Sequence, residues 1–319
     1  MNPRFSNPWP HPQHRVRDVI RWKLGLPPRE RARRPDAPES PAPWLRLDPA
    51  AIAAPPPSGW RVVWLGHASF LLQGCGLSLL VDPLLSNHCV PLPGLRRLIP
   101  APCALTELPR IDAVLLTHSH YDHLDLRTLR ALGTDVRMLV PEGHGAWLRR
   151  KGFRDVNEVR WHESFQLALD IRVTATPAQH FTARSLADRD LAHWCGWRID
   201  SADGSLWHAG DSGYCPGFLE IGERYGPVDF GMIPIGAYQP RRIMRPIHMN
   251  PDEAVEVFLE TRCRRAVGMH WGTFRLTDEP MGEPPLLLES ALLEKQIPPA
   301  SFTAGVVGAV IDIPRGQAT

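Results

Sequence analysis

The segment His118-Ser119-His120-Tyr121-Asp122-His123 places three imidazoles and a carboxylate within six residues. It follows IDAVLLT (111–117), a continuous apolar run of the kind that forms a buried strand. In extended chain, residues two apart point to the same side. His118, His120 and Asp122 therefore converge, while His123 begins the next turn. Imidazole nitrogens and carboxylate oxygens in this number suit zinc, which lowers the pKa of bound water to about 7. A single histidine at a strand end is most often structural. Four ligand-type residues at this spacing have no comparable structural explanation, and they point to metal-assisted hydrolysis.

Such a cluster needs a frame of strands, and the chain supplies one from Trp60 onward. RVVWLG, SFLLQ and LSLLVDP read as short strands split by glycine turns, a β-meander. LDLRTLRALG (124–133) reads as a helix with a glycine stop, followed by strand VRMLVP and helix GHGAWLRRKGF. Further strands are expected at FQLALDIRVTATP, HWCGWRID, SLWHAGD and DFGMIPIG. NPDEAVEVFLETR (250–262) carries Asn250 at the N-cap, Pro251 at N1 and Glu253 at N3, a strong helix start, and RRAVGMHW is expected as the last strand. Strands and helices alternate too irregularly for a Rossmann sheet, no G-x-G-x-x-G follows a strand, and no internal repeat is visible. The expected class is α/β, two mixed sheets flanked by helices over residues 60–319.

Residues 1–59 differ. Residues 1–60 hold fourteen of the 34 prolines and read as an extended arm. Within it HRVRDVIRWKLGL (14–26) spaces Val16, Val19, Ile20 and Leu24 as one helical stripe with Arg and Lys between them. Residues 1–35 carry nine Lys/Arg against Asp18 and Glu30, a net +7, so a chain total of +2 leaves −5 elsewhere. A basic arm on a mildly acidic body points to contact with an anionic surface, lipid or nucleic acid, or else is a solvated arm or one docked on its own body. No apolar run is long enough to span a bilayer and no secretory h-region follows the first basic residue, so a cytoplasmic protein, at most peripheral to a membrane, is expected. The six scattered cysteines, without a C-x-x-C pair, favour reduced thiols.

The H-x-H-x-D-H pattern after a strand resembles the metallo-β-lactamase superfamily. Within it, the chain resembles the N-acyl-phosphatidylethanolamine-hydrolysing phospholipase D group. The likeness is carried by NPWP (7–10), LTELPRIDAVLLTHSHYDHLD (105–125), TPAQH (176–180), the long block AGDSGYCPGFLEIGERYGPVDFGMIPIGAYQPR (209–241), HMNPDEA (248–254) and MHWGTF (269–274). Phe181 departs from the tryptophan expected after TPAQH, and residues 85–100 and the arm resemble the group least.

This resemblance implies an αββα sandwich holding two zinc ions. His118, His120 and His180 hold one ion, Asp122, His123 and His270 hold the other, and Asp211 bridges them. His120 stands where related diiron oxidoreductases have Glu, which favours zinc over a redox metal. Two Zn²⁺, two carboxylates and a bridging hydroxide leave a net positive site suited to a phosphodiester. The expected reaction is in-line attack of that hydroxide on phosphorus, with Asp122 and His248 as the residues involved in catalysis. His248, just before the 250–262 helix, is the candidate for substrate contact or proton donation. Asp82, after a strand, is placed to orient a ligand imidazole, and the resemblance puts His67 near the site. His144, His162 and His208 are read as structural.

The expected substrate is N-acyl-phosphatidylethanolamine or a related glycerophospholipid, with the basic arm meeting anionic membrane. The alternative is a lactonase or ester hydrolase on a soluble substrate. Only 30 residues separate His180 from Asp211, leaving no room for an inserted substrate domain, and no nucleic-acid partner is expected. A homodimer is compatible with the sequence.

Overall fold

A computed structural model describes residues 4–12, 16–26, 30, 32–90, 95–185 and 187–315 of the chain. The meander expected after Trp60 forms as β1 (Trp60–Gly66), β2 (Ser69–Gly74) and β3 (Leu77–Val81). β4 (Ala113–Leu115), β5 (Arg137–Pro141) and β6 (Val156–Val159) then add in parallel to β3. β7 (Ser164–Ala168), β8 (Ile171–Thr176), β9 (Gly196–Ser201) and β10 (Gly204–His208) pair antiparallel. β11 (Val228–Pro234), β12 (Cys263–Met269) and β13 (Phe302–Thr303) extend that second sheet in parallel. β14 (Val310–Ile313) returns to the first sheet beside β1.

Each seven-stranded sheet thus runs an antiparallel set into a parallel one. This repeated plan leaves no trace as a sequence repeat. Two corrections concern the C-terminal end: β12 is not the last strand, since β13 and β14 follow, and β14 covers the β1 edge. Both are short and stand in a glycine-interrupted stretch, where periodicity gives little signal.

β4 reads as an unbroken apolar run because both of its faces are covered. Val62 and Trp64 of β1 face the layer between the sheets, whereas Val63 and Leu65 face outward. The outer layer on the first sheet includes Leu129 of α2 (Leu126–Leu132) and Leu148 of α3 (Gly145–Arg150). On the second sheet, α4 (Gly217–Tyr225), α6 (Pro251–Glu260) and α7 (Glu283–Glu294) supply Phe218, Val255 and Leu288 to the core. A large apolar side chain removed from water contributes about 1.5–3 kcal/mol. Local signals set the helix ends. Asn250 accepts from Glu253 N–H at 2.9 Å while Glu253 accepts from Asn250 N–H at 3.0 Å, so α6 starts where the capping box requires. α5 (Arg241–Met244) is a single turn between β11 and α6.

The described residues of the arm are laid on the body. Its helix α1 (Val16–Lys23) lies inside the expected 14–26, of which residues 14 and 15 fall outside the described set. Trp22 Nε1 donates to Asp278 at 2.6 Å, and Ala42 N–H donates to the Gly272 carbonyl at 3.0 Å. Glu30 accepts from Arg241 and Arg242 N–H, and Arg33 pairs with Asp252. All six cysteines are free thiols. Among the described residues no helix is long and apolar enough to cross a membrane.

Candidate metal centre

The C-terminal ends of β3, β4, β10 and β12 converge at one edge of the sandwich and deliver Asp82, His118, Asp211 and His270. The turns after β4 and β8 add His120, Asp122, His123 and His180. Three nitrogens face one another: His118 Nε2 lies 2.9 Å from His120 Nδ1, and His180 Nε2 lies 3.2 Å from the same atom. A second trio sits beside them. Asp122 Oδ2 is 3.6 Å from His123 Nε2 and 3.5 Å from His270 Nε2, and those nitrogens are 3.4 Å apart. Asp211 Oδ2 stands between the trios, 3.0 and 3.1 Å from His123 and His270 and 3.9 and 3.8 Å from His118 and His180.

These spacings fit a metal. Ligand atoms about 2.0–2.1 Å from a tetrahedral ion lie about 3.3–3.4 Å apart. An all-histidine cluster and a histidine-carboxylate cluster, with one Asp211 oxygen between them, form a cage able to hold metal. Asp211 Oδ1 is buried and has no hydrogen-bond partner among the described residues. An uncompensated buried carboxylate oxygen is costly, and a bound cation removes that cost.

The charge pattern points the same way. Burial and the surrounding imidazoles hold His118 and His180 well below the usual histidine range, and burial takes His120 to about 4. Their lone pairs are therefore available at neutral pH. Burial would lower His123 and His270 too, but Asp211 and Asp122 outweigh it, keeping His123 well above its usual range and His270 at about 9. Both carboxylates stay well below theirs despite burial, because His123 lies beside them. The cage holds positive charge between two buried anions.

Asp82 and His67 contact these clusters. Asp82 Oδ2 accepts from His123 Nδ1–H at 2.7 Å and from the Thr117 hydroxyl at 2.5 Å, while Thr117 N–H donates to Asp82 Oδ1 at 2.8 Å. His123 thereby turns Nε2 toward the cage. His67 Nε2 lies 2.8 Å from Asp122 Oδ2, its ring 4.0 Å from that of His270, so it braces the second trio. His67 (φ 55°), Asp82 (φ 42°) and His270 (φ 64°) all adopt the left-handed backbone region. Non-glycine residues there cost about 1–3 kcal/mol and cluster where geometry matters more than stability.

His248 lies at the rim, its Nδ1 4.0 Å from Asp211 Oδ2 and without a hydrogen-bond partner among the described residues. His208 donates to or accepts from nothing in the cage; its Nε2 bonds the Ala68 carbonyl at 3.0 Å. His144 bonds the Pro141 carbonyl at 2.9 Å, and His162 bonds the Tyr225 hydroxyl at 2.9 Å. Thr117 is the site residue that sequence reading passed over. Its position next to His118 and the Asp82 side chain was the available signal.

A cavity of about 320 Å³ opens onto the cage. His120, Asp122, Asp211, His248 and His270 form its floor. Val19 and Trp22 of α1, Ile243, Met244, Ile247 and Leu276 form mostly apolar walls, into which Lys23 and Arg189 also reach.

The β-lactamase superfamily domain matches residues 78–271, more than half of the chain and all of the cage except His67. The chain belongs to the metallo-β-lactamase superfamily. It is 36% identical over 246 residues to N-acyl-phosphatidylethanolamine-hydrolyzing phospholipase D 1 of Caenorhabditis elegans, covering 73% of this chain and 68% of that protein. It is 38% identical to an uncharacterized protein of Mycobacterium tuberculosis over 83% of this chain and 71% of the other. In structure it superposes on Igni18, a metallo hydrolase from Ignicoccus hospitalis, with TM-score 0.60 at 23% identity, over 79% of this chain and 97% of that one. The last likeness establishes the fold. This superfamily member is a metal-dependent hydrolase with a His/Asp cluster able to bind metal.

Proposed function

We propose that this superfamily member is a zinc-dependent phosphodiesterase that cleaves N-acyl-phosphatidylethanolamine or a related glycerophospholipid in the phospholipase D manner. His118, His120 and His180 would hold one zinc and Asp122, His123 and His270 the other, with Asp211 shared. When bound, the two ions supply Lewis acidity and an activated water near neutral pH. The residues of the chain do the rest. Asp82 and His67 fix His123 and Asp122. His248, with an imidazole edge open to the cavity, donates to a phosphoryl oxygen. The apolar walls exclude bulk water from the reacting phosphate, which strengthens each charge interaction there.

The observation that carries the substrate class is the cavity wall. A soluble ester would be met by a small polar cup. Here an apolar cavity reaches the cage, and α1 forms part of its wall. On the same helix Ile20 is 53% exposed, with Arg17 beside it, and Leu24 in the turn that follows is 68% exposed. A helix that lines a cavity with one face and, with its following turn, shows isoleucine and leucine to solvent suits a bilayer surface, where one acyl chain would enter beside α1. The name of the nematode relative supports the same headgroup class.

The test uses the double variant Ile20→Ser/Leu24→Ser. Deleting residues 1–35 would be a poorer test, because residues 4–12 pack on the body. Two such side chains entering the interface contribute roughly 3 kcal/mol together, so vesicle binding should weaken about a hundredfold. Hydrolysis of lipid in anionic vesicles should fall with it, and turnover of a short water-soluble phosphodiester should not change. Wild-type vesicle binding should also weaken as salt rises, because the Debye length drops from about 10 Å at 0.1 M to about 3 Å at 1 M. Equal losses on both substrates, or none on vesicles, would rule out α1 as the membrane contact.

A further inference from the structure

The N-terminal segment reaches the metal cage from behind. Asn7 Nδ2 donates to the His180 carbonyl at 2.9 Å, and Asn7 Oδ1 accepts from the His180 N–H at 3.2 Å. One side-chain amide thus grips both backbone polar groups of a residue 173 positions away. Neither group has a backbone partner among the described residues. On its other side, His180 Nδ1–H donates to the Ile247 carbonyl at 2.9 Å, which leaves Nε2 facing His120. His118 and His120 stand three and five residues past β4, where the His120 carbonyl accepts from His123 and Leu124 N–H at 3.1 and 2.8 Å. His180 lies beyond the end of β8, and Asn7 supplies the anchorage that a strand would otherwise give.

Asn7 is itself held on both sides. Phe5 N–H donates to the Asp190 carbonyl at 2.8 Å, and the Phe5 ring stacks on His193 at 4.6 Å. His193 stacks in turn on Trp161 at 4.3 Å, and Trp161 on Trp9 at 6.0 Å. Trp9 lies flat against α4 at Gly217, where a β-carbon would overlap the indole. The aromatic ladder fixes the clasp, so ordering Asn7 costs little at the moment His180 must hold still.

We propose that Asn7 is a positioning residue of the metal centre. It seats His180 and so links docking of the arm to metal binding by His118, His120 and His180. Linkage of this kind is reciprocal: metal at that trio also tightens the arm. The trio of Asp122, His123 and His270 makes no contact with the clasp and stays independent of it. Outer groups that orient a ligand are typically worth about 10–100-fold in metal affinity, which sets the size of the effect.

This proposal rests on the two-metal reading above, and titration of the metal-stripped chain with Zn²⁺ separates the two. Wild-type chain should take up two equivalents. Asn7→Ala should take up one with wild-type affinity and the other about 10–100-fold more weakly. With Co²⁺ as the probe, the absorption band of the all-histidine site should be the one that fills late. Limited proteolysis of wild-type chain gives a second readout that needs no variant: Zn²⁺ should slow cleavage within residues 4–12. Equal affinities in Asn7→Ala, or equal weakening of both sites, overturns the clamp and leaves the two-metal reading intact. So does arm cleavage at the same rate with and without Zn²⁺. A wild-type chain that takes up fewer than two equivalents overturns both.

Discussion

Asp211→Asn should lower turnover by about a thousandfold or more and drop zinc content well below two per chain. Asp211 Oδ2 is the atom that faces both trios, within 3.0–3.9 Å of four imidazole nitrogens. Removing its charge leaves Asp122 as the carboxylate facing the two proposed zinc ions. Metal-ion stabilisation of transition-state charge is worth several kcal/mol, and each 1.36 kcal/mol is tenfold in rate. The fold should survive, because asparagine is isosteric with aspartate and Asp211 Oδ1 has no hydrogen-bond partner among the described residues to lose. Elemental analysis and steady-state kinetics on the same preparation check this. A variant with wild-type turnover would end the shared-carboxylate assignment.

His248→Ala should lower phosphodiester turnover about 10²–10³-fold with metal content unchanged. The reason lies in what the imidazole does not do. His118, His120, His123, His180 and His270 all turn a nitrogen into the cage, and His67 spends its own on Asp122. His248 keeps Nδ1 without a partner among the described residues, and Arg241 steadies its backbone by donating to the His248 carbonyl at 2.9 Å. Burial lowers its pKa to about 3, so the imidazole is neutral at working pH and offers a hydrogen bond more readily than a proton. His248→Gln, which retains an N–H donor, should therefore recover part of the lost rate. Failure of Gln to recover any, with Ala inactive, would favour proton transfer. Unchanged kinetics in Ala would make the residue a bystander.

The parts of this site that were legible in the sequence share a cause. His118, His120, Asp122 and His123 are contiguous after an apolar strand, so the period of extended chain brings them together without any knowledge of the fold. Asp82 could be read because it ends a strand in LLVDP, and strand ends are where parallel sheets present side chains. His180, Asp211 and His270 needed the family likeness to be grouped at all, since each stands at its own strand end. His67 meets Asp122 across 55 residues, and the left-handed backbone that turns it inward has no sequence signature at a histidine.

The arm shows the limit most clearly. Proline content and charge describe residues 1–59 as a mostly extended basic arm with one short amphipathic helix. Neither property indicates that Val19 and Trp22 line the cavity, or that Asn7 bonds the backbone of His180. Those are consequences of which surface the arm docks on. Short-range periodicity also failed for β13 and β14, whose few residues gain their stability from neighbouring strands.

The most direct test of the central claim is hydrolysis of N-acyl-phosphatidylethanolamine in vesicles by the zinc-loaded chain in H₂¹⁸O. Attack at phosphorus releases an N-acylethanolamine and a phosphatidic acid, and the oxygen from water ends on phosphorus. The account predicts those two products, with ¹⁸O in the phosphatidic acid and none in the alcohol. Label in the alcohol, or an intact phospholipid alongside rapid hydrolysis of lactones or carboxylic esters, would contradict it.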